Sequence, residues 1–210
     1  MDAGRLQAVV DRQEINDLLL NWGQARDRGE WDTLRDCYHP DGTMHIAWIS
    51  ATGEEFVRRS ETMLANEKAR GSSKHFIGPG RIRLNGNRAF SQCHVNLITR
   101  VRFDDIEFDW EFWSQFHDLI ERREDDRWRL FKRTMIYEKD RLDPVDPTKV
   151  PQGYYAAMNL DSYPRQVRYL YWRMTREGRK PVDDMVLANT PEADRLLEDS
   201  LDWLSQAGSK

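Results

Sequence analysis

Cysteine is scarce in this chain, which carries only Cys37 and Cys93 among its 210 residues. The two do not form a CxxC pair, and a secreted protein held together by disulfides normally uses more cysteines. We therefore expect both thiols to be reduced and buried.

Long apolar stretches are missing as well. The first residues, MDAGRLQAVVDRQE, are charged throughout and lack the apolar core of a signal peptide, and no window reaches the length needed to span a bilayer. Neither sign of charge is concentrated, since 32 Lys and Arg stand against 36 Asp and Glu without a long run of like charge. These absences predict a cytoplasmic protein that partners neither membranes nor nucleic acid.

Metal and cofactor motifs are also absent. His39, His45 and His117 have neither HxH nor HExxH spacing. No GxSxG, P-loop or GxGxxG motif is present, and the GPG and NGN stretches are turn sequences. We expect no metal site and no cofactor.

Aromatic residues, by contrast, are plentiful, with eight Trp, seven Tyr and eight Phe. They form the walls of a pocket as readily as they fill a core, and their number does not separate the two uses. The chain is 39% hydrophobic and 32% charged, which predicts a globular protein with a substantial core and a solvated exterior.

Apolar spacing predicts three helices in the first third of the chain. The apolar residues around Trp22 recur on one helical face, with Asp11 beginning a capping box and Gly29 ending the helix. A short second helix covers WDTLRDCY, and a third covers EEFVRRSETMLANEKARG.

Extended segments follow the helices. TMHIAWIS is a first strand, and three longer segments beyond the third helix predict an antiparallel meander. Between residues 106 and 120, one face is apolar. That face consists of Ile106, Phe108, Trp110, Phe112, Phe116 and Ile120. Strands of this length must bend or bulge, and helices close the concave side of a bent sheet, so the pattern predicts a pocket.

A Pro-rich connector begins after residue 142 and divides the chain into a domain of residues 1–142 and an extension of residues 143–210. In the extension, Pro164 lies near one helix start, and Thr190 and Pro191 form the N-cap and first turn of another helix. The apolar stripes of these two helices need a cover, either the mouth of their own barrel or a neighbouring subunit.

This order of elements resembles the nuclear transport factor 2-like superfamily, and especially its SnoaL-like branch. The resemblance spans about residues 8 to 140. Its most specific part is LLNWGQARDRGEWDTLRDCYHPDG, and the final hairpin DDRWRLFKRTMIYE agrees with it. The resemblance implies an α+β cone, in which three N-terminal helices and a curved antiparallel sheet enclose a hydrophobic cavity, here with a C-terminal helical extension.

The resemblance leaves the function open. The superfamily includes isomerases, dehydratases, dehydrohalogenases, carbon–carbon lyases, dioxygenase small subunits and binding modules, so the fold does not settle the activity. Its members usually assemble across the outer face of the sheet, which implies a homodimer or a homotrimer.

Asp27 and His75 are the candidate catalytic pair. In dehydratase and dehydrohalogenase relatives, a carboxylate at the position of Asp27 faces the cavity and pairs with a histidine at the position of His75. The resemblance therefore implies that Asp27 fixes the imidazole tautomer and that His75 acts as the base. Taken alone, Asp27 is a solvated charge in a helix-ending turn and His75 is a loop histidine; only the pair favours catalysis.

The strand RAFSQCHVNLITR leaves its orientation open. Gln92, His94 and Asn96 share one face, and the residues between them share the other. If the polar set points into the cavity, His94 is a second acid or base and Asn96 an orienting donor. If it points outward, the set belongs to a subunit interface, and a one-residue bulge decides between the two.

Further candidate substrate-binding residues are aromatic or basic. The candidate walls for an aromatic substrate, with core packing as the alternative, are Trp48, Trp110, Phe112 and Tyr137. Trp22 stands where several relatives carry a tyrosine donor, but an indole is no general acid at neutral pH. Arg133 breaks an apolar pattern in the last strand and is either a clamp for a phenolate or carboxylate or a surface arginine.

We predict a cofactor-independent lyase that acts on a hydrophobic, aromatic small molecule. His75 removes a proton, and water, halide or a small fragment such as formaldehyde leaves. The C-terminal extension loosely resembles that of bacterial relatives that degrade aromatic compounds, which extends the prediction to lignin-derived diaryl molecules. The alternatives are a ketosteroid-type isomerase, a non-catalytic small subunit resembling that of ring-hydroxylating dioxygenases, and a ligand-binding module without turnover.

Overall fold

The computed structural model of the chain describes residues 2–65 and 73–207. Its helices are α1 (Ala3–Arg28), α2 (Trp31–Asp36), α3 (Gly53–Ala65), α4 (Arg168–Arg176) and α5 (Pro191–Ser205). Its strands are β1 (Tyr38–Ile46), β2 (Ile49–Thr52), β3 (Ser73–Ile77), β4 (Arg81–Asn85), β5 (Arg88–Phe103), β6 (Ile106–Arg122), β7 (Trp128–Pro144) and β8 (Val186–Leu187). The predicted end of the third helix, from residue 66 onward, lies outside the described residues.

Helix α1 begins earlier than the capping-box pattern predicts. Its N-cap is Asp2, whose side chain accepts the backbone N–H of Arg5 at 2.8 Å, so the prediction of a start at Asp11 is wrong. Asp11 instead lies in mid-helix, where its carboxylate accepts a hydrogen bond from Arg122 at 2.8 Å. The predicted end is confirmed: Gly29 adopts φ 73°, a left-handed conformation that favours glycine.

One mixed sheet forms the other layer, with the strand order β2-β1-β7-β6-β5-β3. Strand β4 also pairs with β5, and β8 pairs with β7. Among the described pairs, only those of β7 with β1 and with β8 are parallel. The pairing of β6 with β7 shifts register at Trp113/Ser114 and Leu119/Ile120. Such irregularities bend long strands, and the curved α+β fold and the predicted meander are confirmed.

The single first strand predicted over TMHIAWIS is wrong. The chain reverses after Ile46 in a two-residue hairpin, so that β1 and β2 pair antiparallel with Ile46 opposite Ile49. This turn places Trp48 at its tip.

The apolar face of β6 is confirmed as the inner face of the sheet. Phe116 and Ile120 are fully buried, and Trp22 of α1 meets the Phe116 ring edge-on at 5.4 Å. Phe56 of α3 stacks on the other side of Trp22 at 5.8 Å. The two helices thus close the concave side, and both cysteines are buried and free, as expected.

The C-terminal segment covers two faces of the sheet. Helix α5 lies against β4 and β5, where the Asn85 amide donates to the carbonyls of Leu204 and Ala207. Its predicted start is confirmed, since the Thr190 side chain accepts the N–H of Ala193 and Pro191 opens the helix. Helix α4 lies over the cavity described below. The division of the chain at residue 142 stays a prediction, and β7 itself continues to Pro144.

Candidate active site

Gly23 allows α1 and β3 to lie close together. A Cβ atom at this position would lie 2.8 Å from Ile77 Cδ1 and 3.9 Å from His75 Cβ. Asp27 follows Gly23 by one helical turn on the same face, so it reaches the backbone of β3. The sequence carries a signal for this contact that we did not use, because a glycine inside a helix is unfavourable and indicates a packing requirement.

The structure brings Asp27 and His75 together across 48 residues of sequence. Asp27 Oδ1 lies 2.6 Å from His75 Nδ1, and Asp27 Oδ2 accepts the backbone N–H of His75 at 2.9 Å. The two side chains are 8% and 11% exposed. Because an ionised carboxylate only accepts hydrogen bonds, Nδ1 carries the proton and Nε2 keeps its lone pair.

The electrostatic environment favours a neutral imidazole beside an ionised carboxylate. Burial lowers the pKa of His75 more than the hydrogen bond to Asp27 raises it, and the nearby Arg26 and Arg133 cations lower it further. Burial alone would raise the pKa of Asp27, but the hydrogen bonds and charge of His75 outweigh burial and lower that pKa. At neutral pH the pair is therefore ready to accept a proton at Nε2.

A cavity of about 530 Å³ lies between the inner face of the sheet, α1, α3 and α4, and His75 is on its wall. Its volume is that of a small-molecule site. Five of the predicted substrate-binding residues line it: Trp22, Trp48, Trp110, Phe112 and Tyr137. Aromatic side chains thus form a substantial part of the cavity wall, and what the cavity binds stays a prediction.

Trp22 lines the cavity with its ring but directs its polar atom away from it. The indole N–H donates to the Tyr38 hydroxyl at 2.8 Å, and that hydroxyl contacts Met44 Sδ at 3.5 Å. The Trp22 ring also meets the His75 ring edge-on, with 5.7 Å between the centroids. Trp22 therefore supplies apolar surface next to the imidazole, and its one donor is already used.

Tyr137 is the phenol among the described residues that line the cavity. Its hydroxyl oxygen accepts the backbone N–H of Ala47 at 2.9 Å, in the turn between β1 and β2. Burial raises the pKa of Tyr137, so the hydroxyl keeps its proton at neutral pH. That proton is a hydrogen-bond donor at the wall of the cavity.

The polar face of β5 points away from the cavity, so the prediction that His94 and Asn96 point into it is wrong. Leu97 and Thr99 line the cavity, whereas His94 is exposed on the opposite face. Asn96 lies on that outer face too, where its amide donates to Glu111 Oε1 at 2.7 Å. The alternate residues of β5 are the more apolar set, so burial selects them for the concave side. His94 and Asn96 therefore do not belong to the cavity.

Arg133 is neither a surface residue nor a clamp that lines the cavity. Its guanidinium forms two hydrogen bonds with Asp118, at 2.7 and 2.8 Å, and both side chains are fully buried. The guanidinium also lies over the rings of Trp22 and Phe116, at 4.4 and 4.1 Å from their centroids. Its charge is thus compensated inside the core, behind the aromatic wall.

Helix α4 adds residues to the cavity that the sequence pattern did not indicate, among them Leu170, Arg173 and Met174. Arg173 lies over the ring of Trp110, 4.9 Å from its centroid. The backbone N–H of Leu170 donates to the Asp140 carboxylate of β7 at 2.7 Å, and this hydrogen bond connects the start of α4 to the sheet. In this chain α4 covers its own cavity, one of the two alternatives that the sequence left open.

The described parts of the chain, residues 2–65 and 73–207, hold no group of three or more His, Cys, Asp or Glu residues arranged for a metal ion. In the same ranges, no helix combines the length and the apolar character needed to cross a membrane.

Comparison with known proteins agrees with the fold. The model of the SnoaL-like domain matches residues 7–134. Pea pathogenicity protein 2 of Fusarium vanettenii is 28% identical over 186 residues, which are 84% of this chain and 75% of that protein.

Two solved structures share the fold. A scytalone dehydratase-like protein of Novosphingobium aromaticivorans has a TM-score of 0.54 and 16% identity, covering 69% of this chain and 97% of its own. A type 2 hexachlorocyclohexane dehydrochlorinase, LinA, has a TM-score of 0.53 and 16% identity, covering 71% and 99%. Because the family model matches more than half of its length, this chain belongs to the SnoaL-like domain family.

Proposed function

We propose that this protein is a cofactor-independent lyase that acts on a hydrophobic, aromatic small molecule. The observation that carries the proposal is the 2.6 Å contact between His75 Nδ1 and Asp27 Oδ1 at the wall of an aromatic cavity. Relatives by fold include proteins named as a dehydratase and a dehydrochlorinase, which are elimination activities.

The chemical step begins at the free nitrogen of His75. Nε2 takes a proton from a carbon of the substrate, and the electrons of that C–H bond form a double bond as the adjacent bond to the leaving group breaks. The imidazolium that forms is stabilised by Asp27, which accepts the Nδ1 proton in its hydrogen bond. A positioned base of this kind contributes about 10²- to 10⁴-fold to the rate.

The leaving group determines where the proton goes next. Halide departs as an anion, whereas a departing hydroxide needs a proton, which the His75 imidazolium returns or Tyr137 donates. Formaldehyde leaves when His75 takes the O–H proton of a hydroxymethyl group, the oxygen forms the C=O bond and the carbon–carbon bond breaks. The electron pair of that bond stays on the aryl-bearing carbon, which takes the proton back from the His75 imidazolium. A lignin-derived diaryl molecule with such a side chain fits an aromatic cavity of this volume, and we include it in the proposal.

The same observation separates the proposal from one alternative. A small subunit that only holds a catalytic partner has no need for a buried carboxylate that sets the tautomer of a cavity histidine, so the pair counts against that role. An isomerase of the ketosteroid type uses the same base and differs in returning the proton to the substrate. The mass of the product distinguishes the two, because only the lyase makes it lighter.

The proposal is tested with the purified protein and a panel of aromatic compounds. The panel contains β-hydroxy and β-halo aryl compounds, diaryl propanediols and enones, and the products are weighed by mass spectrometry. We expect a product lighter than its substrate by water, hydrogen halide or formaldehyde. Conversion at constant mass would support the isomerase instead, and no conversion across the panel by folded protein would contradict both.

We also propose that the chain forms a homodimer or homotrimer through the outer face of the sheet. Apolar side chains are exposed there on neighbouring strands: Phe76 is 74% exposed, Trp113 41% and Ile98 40%. In the sheet, Phe76 and Trp113 flank Asn96 on either side. Light scattering should give a multiple of the 24.9 kDa chain mass, and Trp113→Glu should lower it.

A further inference from the structure

Positive charge is concentrated around the cavity. Five arginines line it together with one glutamate, Glu177, among the described residues. The arginines are Arg26, Arg100, Arg102, Arg173 and Arg179. An aromatic cavity for a neutral substrate has no need of these cations, and the five differ in whether a carboxylate of the protein pairs with them.

Four of the five arginines form ion pairs with three carboxylates of the protein. Arg100 pairs with Asp109 at 2.7 Å, and Arg102 pairs with Glu107 at 3.1 Å, both across the β5–β6 hairpin. The two arginines of the C-terminal segment both contact the carboxylate of Glu177. These ion pairs keep the four guanidinium groups occupied by the protein itself.

Arg26 is different. Within residues 2–65 and 73–207 it forms no ion pair and donates no hydrogen bond. The charge of the adjacent Asp27 raises the pKa of Arg26, but the hydrogen bonds of that carboxylate go to His75 and none of those described comes from Arg26. Arg26 lies one helical turn after Trp22 on the same face of α1, and burial lowers the pKa of its guanidinium. A half-buried cation on the cavity wall, with no hydrogen-bonded anion among the described residues, is suited to bind one from the ligand.

We propose that Arg26 binds a carboxylate group of the substrate, so that the cavity selects hydrophobic aromatic acids in their ionised form. That the ligand is a substrate rests on the proposed function, whereas the selection of a carboxylate ligand does not. A guanidinium and a carboxylate form two parallel charge-assisted hydrogen bonds, which fix orientation as well as affinity. The role of anion clamp considered for Arg133 thus moves to Arg26, because Asp118 already occupies Arg133.

Two hydroxyl groups on the same cavity support the assignment. Ser73 Oγ and Thr99 Oγ1 lie 3.0 Å apart, and both residues line the cavity. The two hydroxyls have two protons but share one hydrogen bond, so one proton remains for a further acceptor. Ser73 lies two residues before His75 on β3, which places this donor on the same face of the strand as the imidazole.

The test measures binding, so it needs no knowledge of the true substrate. The probes are biphenyl-4-carboxylate and its neutral isostere biphenyl-4-carboxamide, titrated calorimetrically against the full-length protein at neutral pH. We expect the wild type to bind the carboxylate about 10- to 100-fold more tightly than the amide, the range of a desolvated charge-assisted pair. Arg26→Gln should abolish the preference while leaving the affinity for the amide unchanged.

Arg28→Gln is the matched control. Arg28 lies two residues further on α1, and its exposed side chain is 3.8 Å from Glu30, so the variant removes the same charge outside the cavity. It should keep the preference, and Arg26→Lys should keep part of it because the charge remains but the planar fork is lost. Thermal melting confirms that all variants fold.

The outcomes separate this inference from the proposed function. Equal binding of the two probes by the wild type, or an undiminished preference in Arg26→Gln, would overturn the assignment of Arg26 whatever the protein catalyses. His75→Ala should keep the preference, because carboxylate binding does not need the base. If the preference follows Arg26 but no compound is converted, the binding site stands and the lyase proposal falls.

Discussion

Two buried histidines of this chain lie on opposite faces of the sheet and have similar surroundings. His75 meets the ring of Trp22 edge-on at 5.7 Å, and His117 meets the ring of Phe90 in the same way at 5.3 Å. The pKa of each is lowered by burial, to about 4 for His117. The aromatic contact and the burial are therefore common to both.

The difference lies at Nδ1. His75 Nδ1 is bonded to Asp27, whereas His117 Nδ1 has no partner among the described residues and its Nε2 contacts only the side chain of Gln92, at 3.2 Å. Burial alone makes an imidazole neutral and inert. A carboxylate at Nδ1 fixes the tautomer, leaves the lone pair on Nε2, the ring nitrogen away from the carboxylate, and stabilises the protonated ring once it forms. The comparison thus isolates the carboxylate as the feature that distinguishes His75, the base of the proposed function, from His117.

The largest expected effect comes from removing the imidazole of His75, the proposed base. His75→Ala should lower kcat/KM about 10²- to 10⁴-fold, because it removes the proton acceptor. His117→Gln, the matched control on the other face, should leave kcat/KM within about twofold, since it touches neither cavity nor Asp27. Steady-state assays with the substrate found in the panel measure both. Equal losses in the two variants would mean that His75 acts only by packing.

The next effect removes the carboxylate and keeps the imidazole. Asp27→Asn should lower kcat/KM by about 10²-fold or more, because the amide presents an N–H to Nδ1 and favours the wrong tautomer. The pH dependence adds a second readout. Activity should fall as pH drops through the pKa of His75, below its ordinary value, and this limb should move to still lower pH in Asp27→Asn because Asp27 raises that pKa. A limb that moves to higher pH would contradict the dyad.

The pairing of Asp27 with His75 was predicted through the resemblance to the SnoaL-like branch, because neither residue taken alone indicates it. The alternation in β6 indicates its buried face directly, because apolar side chains occupy most alternate positions, with Ser114 and Asp118 as exceptions. The orientation of β5 was not readable in this way, since each of its faces carries polar residues and the choice depends on which set packs more favourably. Periodicity names two faces but does not say which one is inside.

The ion pair of Arg133 with Asp118 shows a second limit. Each residue breaks an apolar pattern in its own strand, and the two lie directly opposite each other in the pairing of β6 with β7. Oppositely charged residues at facing positions form an ion pair, but the register of this pair depends on two bulges that the sequence does not mark. Arg133 therefore resembled a functional residue as long as its partner was unknown.

A smaller effect concerns the other histidine of the comparison, His117, and the pH dependence of the free energy of unfolding. Its pKa is about 4 in the folded chain and about 6.5 when unfolded, so between these values the unfolded chain binds a proton that the folded chain does not. Stability should therefore be full above pH 6.5 and fall by about 3 kcal/mol as pH drops toward 4. Urea unfolding of the wild type and His117→Gln at several pH values measures the difference. Parallel curves would mean that His117 is solvated rather than buried.

The smallest effect concerns the ring of Trp22, which lies edge-on beside His75. Trp22→Phe removes the hydrogen bond to Tyr38 but keeps an aromatic ring beside the imidazole, so we expect a loss of about 1 kcal/mol in the free energy of unfolding and little change in kcat/KM. Tyr38→Phe breaks the same bond from the other side and should cost more, because it leaves the buried indole N–H without an acceptor. Urea unfolding of both variants measures this order. If Trp22→Phe instead lowered kcat/KM as far as His75→Ala, the indole would have a role in the reaction beyond excluding water.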